Sequence, residues 1–364
     1  MEQPQGFIDN AHLDFVCKLH KALYGLKQAP RAWFTQLSTF LLELGFKASL
    51  VNLSLFIYAY GAVRVYMLFY VDDIIITRTH VPIISSFICN IQQEIPLKDL
   101  GSLNFFLGNQ VSRTPKGLHI CQIRYISNSL TRTHMANAKP SKSPCSSTSK
   151  LSKYDGDLLN DLTVYRHIFG SLQYCTLTRL EIAFSINQLC LHLHAPTSTH
   201  LSTAKHVLRY LKGTPNHVLF YSKGSLQLNA FCDSDWVGSL DDQRSTFGFS
   251  VFLVDYLISW SAKKQAVVSQ SSTEAEYRSL AITTAELYWL RMLFQEIQIP
   301  LKVAPVLWCD NVSALALASN PVFHARTKHI EVDYHFVHEK VVNRDIIVKF
   351  MYIKRWRYIS YKRE

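Results

Sequence analysis

Long apolar runs are missing from this sequence of 364 residues. The most apolar run, 65–77, is interrupted by Asp72 and Asp73. It therefore falls short of the about 20 apolar residues that a membrane-spanning helix needs. The N-terminus has neither a basic start nor an apolar core, so we expect no secretory leader and a protein that is not secreted.

Paired cysteines and dense charge are also scarce. The eight cysteines form no Cys-x-x-Cys pair, which is typical of reduced thiols and speaks against a disulfide framework or a zinc ribbon. Only 18% of the residues are charged and 48% are hydrophobic, which excludes a disordered chain and a charge-rich coiled coil. Lys and Arg (38) outnumber Asp and Glu (27), and this net charge of +11 favours a polyanionic partner such as nucleic acid.

Helical and strand-like periods alternate in the first third of the chain. A helical apolar pattern begins after Pro30 and ends near Gly45, which suit a first helical turn and a helix exit. Strand-like runs follow at 55–60 and 63–70, and a second helical pattern begins near Pro82. This order of elements predicts an α+β domain.

The remainder of the chain contains a linker and two further patterns. The stretch 139–150 is rich in Ser, Pro and Lys and is the best linker candidate. Beyond it, 164–193 and 201–211 are predicted to be amphipathic helices. The last pattern comprises three strands, a long helix and a further strand, at 226–232, 247–254, 257–260, 273–297 and 303–309. This succession predicts a compact α/β domain.

Two adjacent aspartates, Asp72 and Asp73, separate two apolar strands. We expect them at a tight turn, because neither strand can bury an unpaired carboxylate. Carboxylates at a hairpin tip suit Mg²⁺, and polymerases use two such ions to activate a 3′-hydroxyl and stabilise the leaving pyrophosphate. Ordinary turn chemistry is the alternative, since Asp is common in turns.

A series of motifs supports a more specific assignment. In chain order the motifs are LYGLKQAPRAW (23–33), YVDD (70–73), LGSLNFFLG (100–108), RYLKGTP (209–215), CDSDW (232–236), SSTEAEY (271–277), CDN (309–311) and NPVFHARTKHI (320–330). In these motifs and in their order, the sequence resembles the reverse transcriptase, connection and RNase H portion of the Pol polyproteins of copia-type LTR retrotransposons.

The resemblance implies a fold and a domain organisation. It implies an α+β palm-type polymerase fragment over 1–138, followed by a linker and thumb/connection region over 139–225. An α/β RNase H-like domain with a mixed five-stranded sheet and helices would occupy 226–350. The last residues, 351–364, do not match the family and are predicted to form a basic tail.

The resemblance also implies residue roles in the polymerase. Asp72 and Asp73 would be catalytic Mg²⁺ ligands, and Tyr24 and Lys27 would line the pocket for the templating base and the incoming nucleotide. A solvated charge at the helix entry is the alternative for Lys27. Together, the residues implied to bind nucleotide or nucleic acid are Tyr24, Gly25, Lys27, Tyr70, Arg326 and Lys328.

Three further carboxylates point to a nuclease. Asp233 ends an apolar strand, and Asp310 follows another at the edge of a sheet where α/β proteins bind ligands. Glu276 lies on the helical stripe that continues through Leu280 and Leu287, so it faces the buried side. Carboxylates that converge repel one another unless a cation neutralises them, which predicts a two-Mg²⁺ hydrolase in which Mn²⁺ can substitute. The resemblance implies that these three are the catalytic metal ligands of RNase H.

Each of these carboxylates has an alternative role. Glu276, like Glu274, favours a helix N-terminus without any catalytic function. Asp310 suits an N-cap of the following helix. Asp235 shares a strand face with Asp233, and we choose Asp233 because it matches the first aspartate of the family.

A histidine cluster near the C-terminus gives a zinc alternative. The cluster comprises His329, His335 and His338 with Glu331 and Asp333. Of these, Glu331, His335 and His338 share one helical face at a spacing that suits a metal. Because histidines are spread widely along this chain, we favour phosphate contacts by the nearby Arg326 and Lys328.

The expected function follows from the resemblance. The family's reactions are RNA-directed DNA synthesis and hydrolysis of RNA in RNA–DNA hybrids. Its partners are an RNA template, the hybrid and dNTPs, and it does not act on a membrane. By family, we expect the protein in a cytoplasmic particle or in the nucleus. The chain lacks the family's first palm aspartate and fourth RNase H carboxylate, so we expect no polymerase activity from it alone. The alternatives are a catalytically inactive, nucleic-acid-binding remnant of a degenerate element, and a piece of a longer intact polyprotein.

Overall fold

The computed structural model describes residues 2–18, 25–71, 73–79, 83–95, 97–145, 150–319 and 330–351. The chain divides into two compact units, Met1–Gly101 and Ser102–Glu364. Within the described residues, no helix is both long enough and apolar enough to cross a bilayer.

In its described residues, the first unit contains an antiparallel sheet and two helices. Its elements are α1 (Ala29–Glu43), β1 (Lys47–Ala48), β2 (Leu55–Tyr60), β3 (Val63–Tyr70), β4 (Asp73–Arg78) and α2 (Ile83–Glu94), with the sheet order β1-β2-β3-β4. Helix α1 has Pro30 in its first turn, as the sequence predicts, and the chain leaves it at Gly45 with a φ of +88°. Leu37 and Leu41 of α1 are fully buried in one core with Met67 of β3.

The second unit begins with a small sheet and a set of helices. These elements are β5 (Phe105–Phe106), β6 (Asn109–Thr114), β7 (Gly117–Cys121), α3 (Ile123–Arg132), α4 (Thr163–Cys175), a 3₁₀ turn (Leu180–Ile182), α5 (Ala183–Cys190), α6 (Ser198–Gly213) and β8 (Leu219–Tyr221). The four strands pair in chain order. Ile168, Leu172 and Leu208 belong to the core that the helices share. In the predicted linker, residues 139–145 contain neither helix nor strand, and 146–149 lie outside the described residues.

The helix predicted over 164–193 is interrupted. Arg179 has an extended backbone (φ −123°, ψ 79°), so α4 and α5 are separate helices. Its guanidinium is 1% exposed and donates hydrogen bonds to Glu181 Oε1 (2.6 Å) and to the carbonyl oxygen of Thr214 (2.9 Å). A buried charge needs such partners, and this requirement overrides the local helical periodicity.

The last part of the second unit is a mixed sheet of five strands with flanking helices. The elements are β9 (Leu228–Asp235), β10 (Thr246–Leu253), β11 (Tyr256–Lys264), α7 (Ser272–Glu296), β12 (Val306–Cys309), α8 (Val312–Ser319), α9 (Glu331–Val342) and β13 (Ile347–Phe350). The strand order is β11-β10-β9-β12-β13, in which β9, β10 and β11 are antiparallel neighbours. Strand β12 is parallel to both β9 and β13. The carboxyl ends of the central strands β9 and β12 therefore lie at the same edge of the sheet.

Candidate active site

Asp233 and Asp310 lie at that shared edge. In the register of β9 and β12, Leu307 is opposite Ala230 and Trp308 is opposite Phe231. The same register, extended by two residues, places Asp310 beside Asp233. Asp233 is exposed and Asp310 is half-buried, so this edge opens to solvent.

Helix α7 adds Glu276 from the buried side. Its Oε1 accepts a hydrogen bond from the backbone N–H of Ser234 at 3.0 Å. One turn later, the hydroxyl of Ser279 donates to the carbonyl oxygen of Asp233 at 3.1 Å. These two bonds join α7 to the end of β9. Glu276 is 6% exposed, which agrees with its predicted position on the buried stripe of the helix.

Cys309 completes the group of close side chains. The Glu276 carboxylate, the Cys309 thiol and the Asp310 carboxylate each offer one ligand atom, and these atoms lie within 4.8 Å of one another. The sequence reasoning does not identify Cys309 as part of the site. A signal was available, because cysteine directly precedes the aspartate in both strand-end motifs, at Cys232 and at Cys309.

The electrostatics show that the carboxylates crowd one another. Burial, followed by the proximity of Cys309 and Asp233, raises the pKa of Glu276 from 4.5 to about 9. Burial and Asp233 also raise the pKa of Asp310. A cation in their midst would favour the ionised carboxylates, so this cluster of side chains suits a metal.

The alternative role at a helix N-terminus belongs to Glu274. Ser271 is the N-cap of α7, and its hydroxyl accepts a hydrogen bond from the backbone N–H of Glu274 at 3.2 Å. The Glu274 carboxylate accepts one from the N–H of Gln270 at 2.8 Å and pairs with Arg278 at 2.9 Å. Glu276 makes none of these contacts and faces β9 instead.

The N-cap alternative for Asp310 is wrong. The side-chain oxygen of Asn311 accepts a hydrogen bond from the N–H of Ala314 at 2.9 Å and so caps α8. Asp235 is occupied elsewhere, since its carboxylate accepts a hydrogen bond from the N–H of Thr246 on the neighbouring strand. Asp233 and Asp310 thus remain available to a ligand at the sheet edge.

The described residues of the zinc alternative near the C-terminus do not form a metal-sized group, and His329 lies outside the described residues. His335 Nε2 lies 4.0 Å from Glu331 Oε1, whereas the ring of His338 stacks on Tyr334 at 5.7 Å between centroids. Within the described part of the chain, the metal-sized group of His, Cys, Asp or Glu is the one at Glu276.

Of the two predicted polymerase aspartates, the structure describes Asp73, which lies at a hairpin tip. Asp73 is exposed at the start of β4 and pairs with Tyr70 at the end of β3. Val71 between them has a φ of +51°, which is typical of a tight turn. Tyr70 is 54% exposed. Asp72 itself lies outside the described residues.

The predicted nucleotide-binding residues are placed only in part. Gly25 and Lys27 are both exposed, and Gly25 has a φ of +90°, a conformation that L side chains rarely adopt. Tyr24, Arg326 and Lys328 lie outside the described residues.

Comparisons with known proteins identify the family. The sequence profile described as "Reverse transcriptase (RNA-dependent DNA polymerase)" matches residues 1–147. The chain is 50% identical, over 94% of its length, to the retrovirus-related Pol polyprotein from transposon RE1 of Arabidopsis thaliana, of which it spans 23%. It is 30% identical to the putative transposon Ty5-1 protein YCL074W of Saccharomyces cerevisiae, over 79% of this chain and 94% of that protein.

A solved structure also aligns with part of the chain. It is the N-terminal RNase H domain of Rv2228c from Mycobacterium tuberculosis, fused to maltose binding protein. The alignment covers 37% of this chain and 88% of that chain, with 14% identity and a TM-score of 0.28. The chain covers 94% of the Ty5-1 protein at 30% identity, and it spans about a quarter of the RE1 polyprotein at 50% identity. Together with the match to the reverse transcriptase profile, this shows that the chain belongs to the Pol polyproteins of copia-type retrotransposons.

Proposed function

We propose that Asp233, Glu276 and Asp310 form the active site of a metal-dependent ribonuclease that hydrolyses RNA in RNA–DNA hybrids. The observation that carries the proposal is their convergence at the carboxyl ends of two adjacent parallel strands. The motifs of the family and the mixed order of the sheet support it. The alternative is a catalytically inactive protein that binds nucleic acid, which the net charge of +11 favours.

The donor set fits Mg²⁺, with Mn²⁺ as a substitute. Mg²⁺ is held by carboxylate oxygens, and here three carboxyl groups lie close enough for Asp233 to raise the pKa of both others. When bound, the metal would supply an activated water and stabilise charge on the leaving oxygen. The chain itself orients the ligands, because Ser234 fixes Glu276 and the strand ends present Asp233 and Asp310 to solvent.

We infer that the first unit carries part of a second site, for RNA-directed DNA synthesis, and we expect no polymerase activity from this chain alone. Asp72 and Asp73 would hold Mg²⁺, and Tyr24, Gly25, Lys27 and Tyr70 would contact the template and the incoming dNTP. Arg326 and Lys328, in the second unit, would contact phosphate. The exposed hairpin tip at Asp73 and the family match over residues 1–147 support this inference. The proposed boundaries are 1–138 for the polymerase portion, 139–225 for the connection and 226–350 for the ribonuclease.

The test of the ribonuclease uses the full chain and an RNA–DNA hybrid with labelled RNA, in Mg²⁺ or Mn²⁺. Asp233→Asn is expected to lower the cleavage rate at least a hundredfold. Asp235→Asn is the matched control on the same strand face, and it is expected to retain the rate within about tenfold because its contact with Thr246 survives.

Two outcomes contradict the proposal. A folded wild-type chain that binds the hybrid without cleaving it supports the inactive binding protein instead. Equal losses in the Asp233 and Asp235 variants would show that Asp233 has no special role at the metal.

A further inference from the structure

Each of the two aspartates in the carboxylate cluster is preceded in the sequence by a buried cysteine. Cys232 precedes Asp233 on β9, and Cys309 precedes Asp310 at the end of β12. Both cysteines are fully buried. The thiol of Cys232 donates to the carbonyl oxygen of Trp308 at 3.7 Å, so it lies against the strand that carries Cys309.

The thiol of Cys309 lies close to the carboxyl groups of Glu276 and Asp310. Its Sγ lies 4.0 Å from Glu276 Oε2, and the ligand atoms of Glu276, Cys309 and Asp310 lie within 4.8 Å of one another. A tetrahedral Zn²⁺ holds one sulfur and one oxygen ligand about 3.5 Å apart, so the distance between Cys309 Sγ and Glu276 Oε2 needs to contract by about 0.5 Å.

The Oε2 atom of Glu276 gives a second reason to expect a ligand. More than nine-tenths of this side chain is buried, and its Oε1 is satisfied by Ser234. Among the described residues, its Oε2 receives only the long contact from the Cys309 thiol. A buried carboxyl oxygen whose polar contact is this long is an incomplete arrangement, which a cation would complete.

We propose that Cys309, Glu276 and Asp310 bind a thiophilic divalent cation of the Zn²⁺ class at the inner end of the carboxylate cluster. On binding, the Cys309 thiol and the Glu276 carboxyl group each release a proton to solvent. The sulfur and the carboxylate oxygen then each donate an electron pair to the metal. Thiolate selects Zn²⁺ and Cd²⁺ over Mg²⁺, which takes oxygen ligands. Where the proposed ribonuclease operates, such a cation competes with Mg²⁺ for Glu276 and Asp310, and this consequence rests on the proposed function.

The experiment titrates the full chain with Cd²⁺ in the absence of nucleic acid and follows the ultraviolet charge-transfer absorption of the cadmium–thiolate bond. The wild type is expected to show this band, and Cys309→Ser to lose it and bind at least tenfold more weakly. Asp310→Asn, at a half-exposed position, is expected to keep the band and bind at least tenfold more weakly. Cys175→Ser, buried elsewhere, and Cys190→Ser, exposed, are the matched controls and leave the Cys309-dependent band unchanged.

Failure of this inference is distinguishable from failure of the ribonuclease proposal. The cation site is overturned if the wild type shows no charge-transfer band. It is also overturned if both Cys309→Ser and Cys309→Ala keep the band and the Cd²⁺ affinity of the wild type. Both conclusions hold whatever the cleavage assay shows. Conversely, a Cys309-dependent band in a chain that cleaves no hybrid supports the cation site and contradicts the ribonuclease. Circular dichroism of each variant confirms that it is folded before the titration is interpreted.

Discussion

Glu276 accepts a hydrogen bond from the backbone N–H of Ser234 at 3.0 Å, one residue beyond Asp233. This bond joins helix α7 to the end of the central strand β9. The acceptor is a buried carboxyl group whose pKa is raised to about 9, first by burial and then by Cys309 and Asp233. In the absence of a cation, this group therefore carries a proton at neutral pH.

Replacement of Glu276 by Gln separates metal binding from folding. Because the glutamine amide resembles the protonated carboxyl group and its oxygen still accepts from Ser234, we expect the free energy of unfolding at pH 7 to fall by less than about 1 kcal/mol. Hybrid cleavage is expected to fall at least a hundredfold, since the amide is a poor Mg²⁺ ligand. Urea unfolding with a chelator present, together with the cleavage assay, measures both. A large loss of stability would show that Glu276 is ionised and structural in the metal-free protein.

Acid stability is expected to depend on His200. Its ring is fully buried and stacks on His192 at 3.9 Å, and its Nδ1 accepts a hydrogen bond from the N–H of Thr197. Burial, followed by the neighbouring His192, lowers the pKa of His200 from 6.5 to about 4, whereas Asp155 and Asp241 act in the opposite direction. The unfolded chain therefore takes up the proton first. This contribution to the free energy of unfolding is complete above pH 6.5 and is lost as the pH falls towards 4, by about 2 kcal/mol.

The test compares His200→Gln with the wild type by urea unfolding at pH 7 and pH 4.5. Glutamine keeps an acceptor for the N–H of Thr197, as in a capping box, but it does not titrate. The variant is expected to lose less stability than the wild type on acidification. The exposed His194→Gln is the matched control. Equal acid sensitivity in all three proteins would contradict the prediction.

Arg179 is expected to be a major determinant of stability in the second unit. Beyond its bonds to Glu181 and Thr214, its guanidinium lies over the ring of Tyr210 at 5.7 Å. Arg179→Met leaves the Glu181 carboxylate and the Thr214 carbonyl without these donors, and we expect a loss of about 3 kcal/mol in urea unfolding. Arg166→Met, at an exposed site on α4, is the control and is expected to change stability by less than about 0.5 kcal/mol. Similar effects of the two substitutions would contradict the structural role of Arg179.

Hybrid binding is expected to be strongly dependent on salt. A chain of net charge +11 that contacts phosphates releases counterions on binding, so its affinity should fall about a thousandfold between about 50 and 200 mM salt. Fluorescence anisotropy with the Asp310→Asn variant measures binding without cleavage. A response that is flat over this range would contradict nucleic acid as the partner.

Local pattern was sufficient to predict many elements. The helix that begins at Pro30 and the long helix α7 follow from apolar spacing and end signals, because helix and strand formation depend on neighbouring residues. The inward position of Glu276 follows in the same way, since it lies on the stripe of Leu280 and Leu287. The break at Arg179 does not, because the partners that make it favourable lie in part 35 residues away, at Thr214.

The sequence by itself determined the family, through the order of its motifs, and it determined which carboxylates end apolar strands. Only the tertiary structure showed that Asn311, and not Asp310, caps α8, and that the thiol of Cys309 lies 4.0 Å from Glu276 across 33 positions of the chain. The physical reason is that such contacts depend on which strands are neighbours and in what register. Strand order and register depend on how the apolar faces of the sheet and the helices pack together, and local periodicity does not record them.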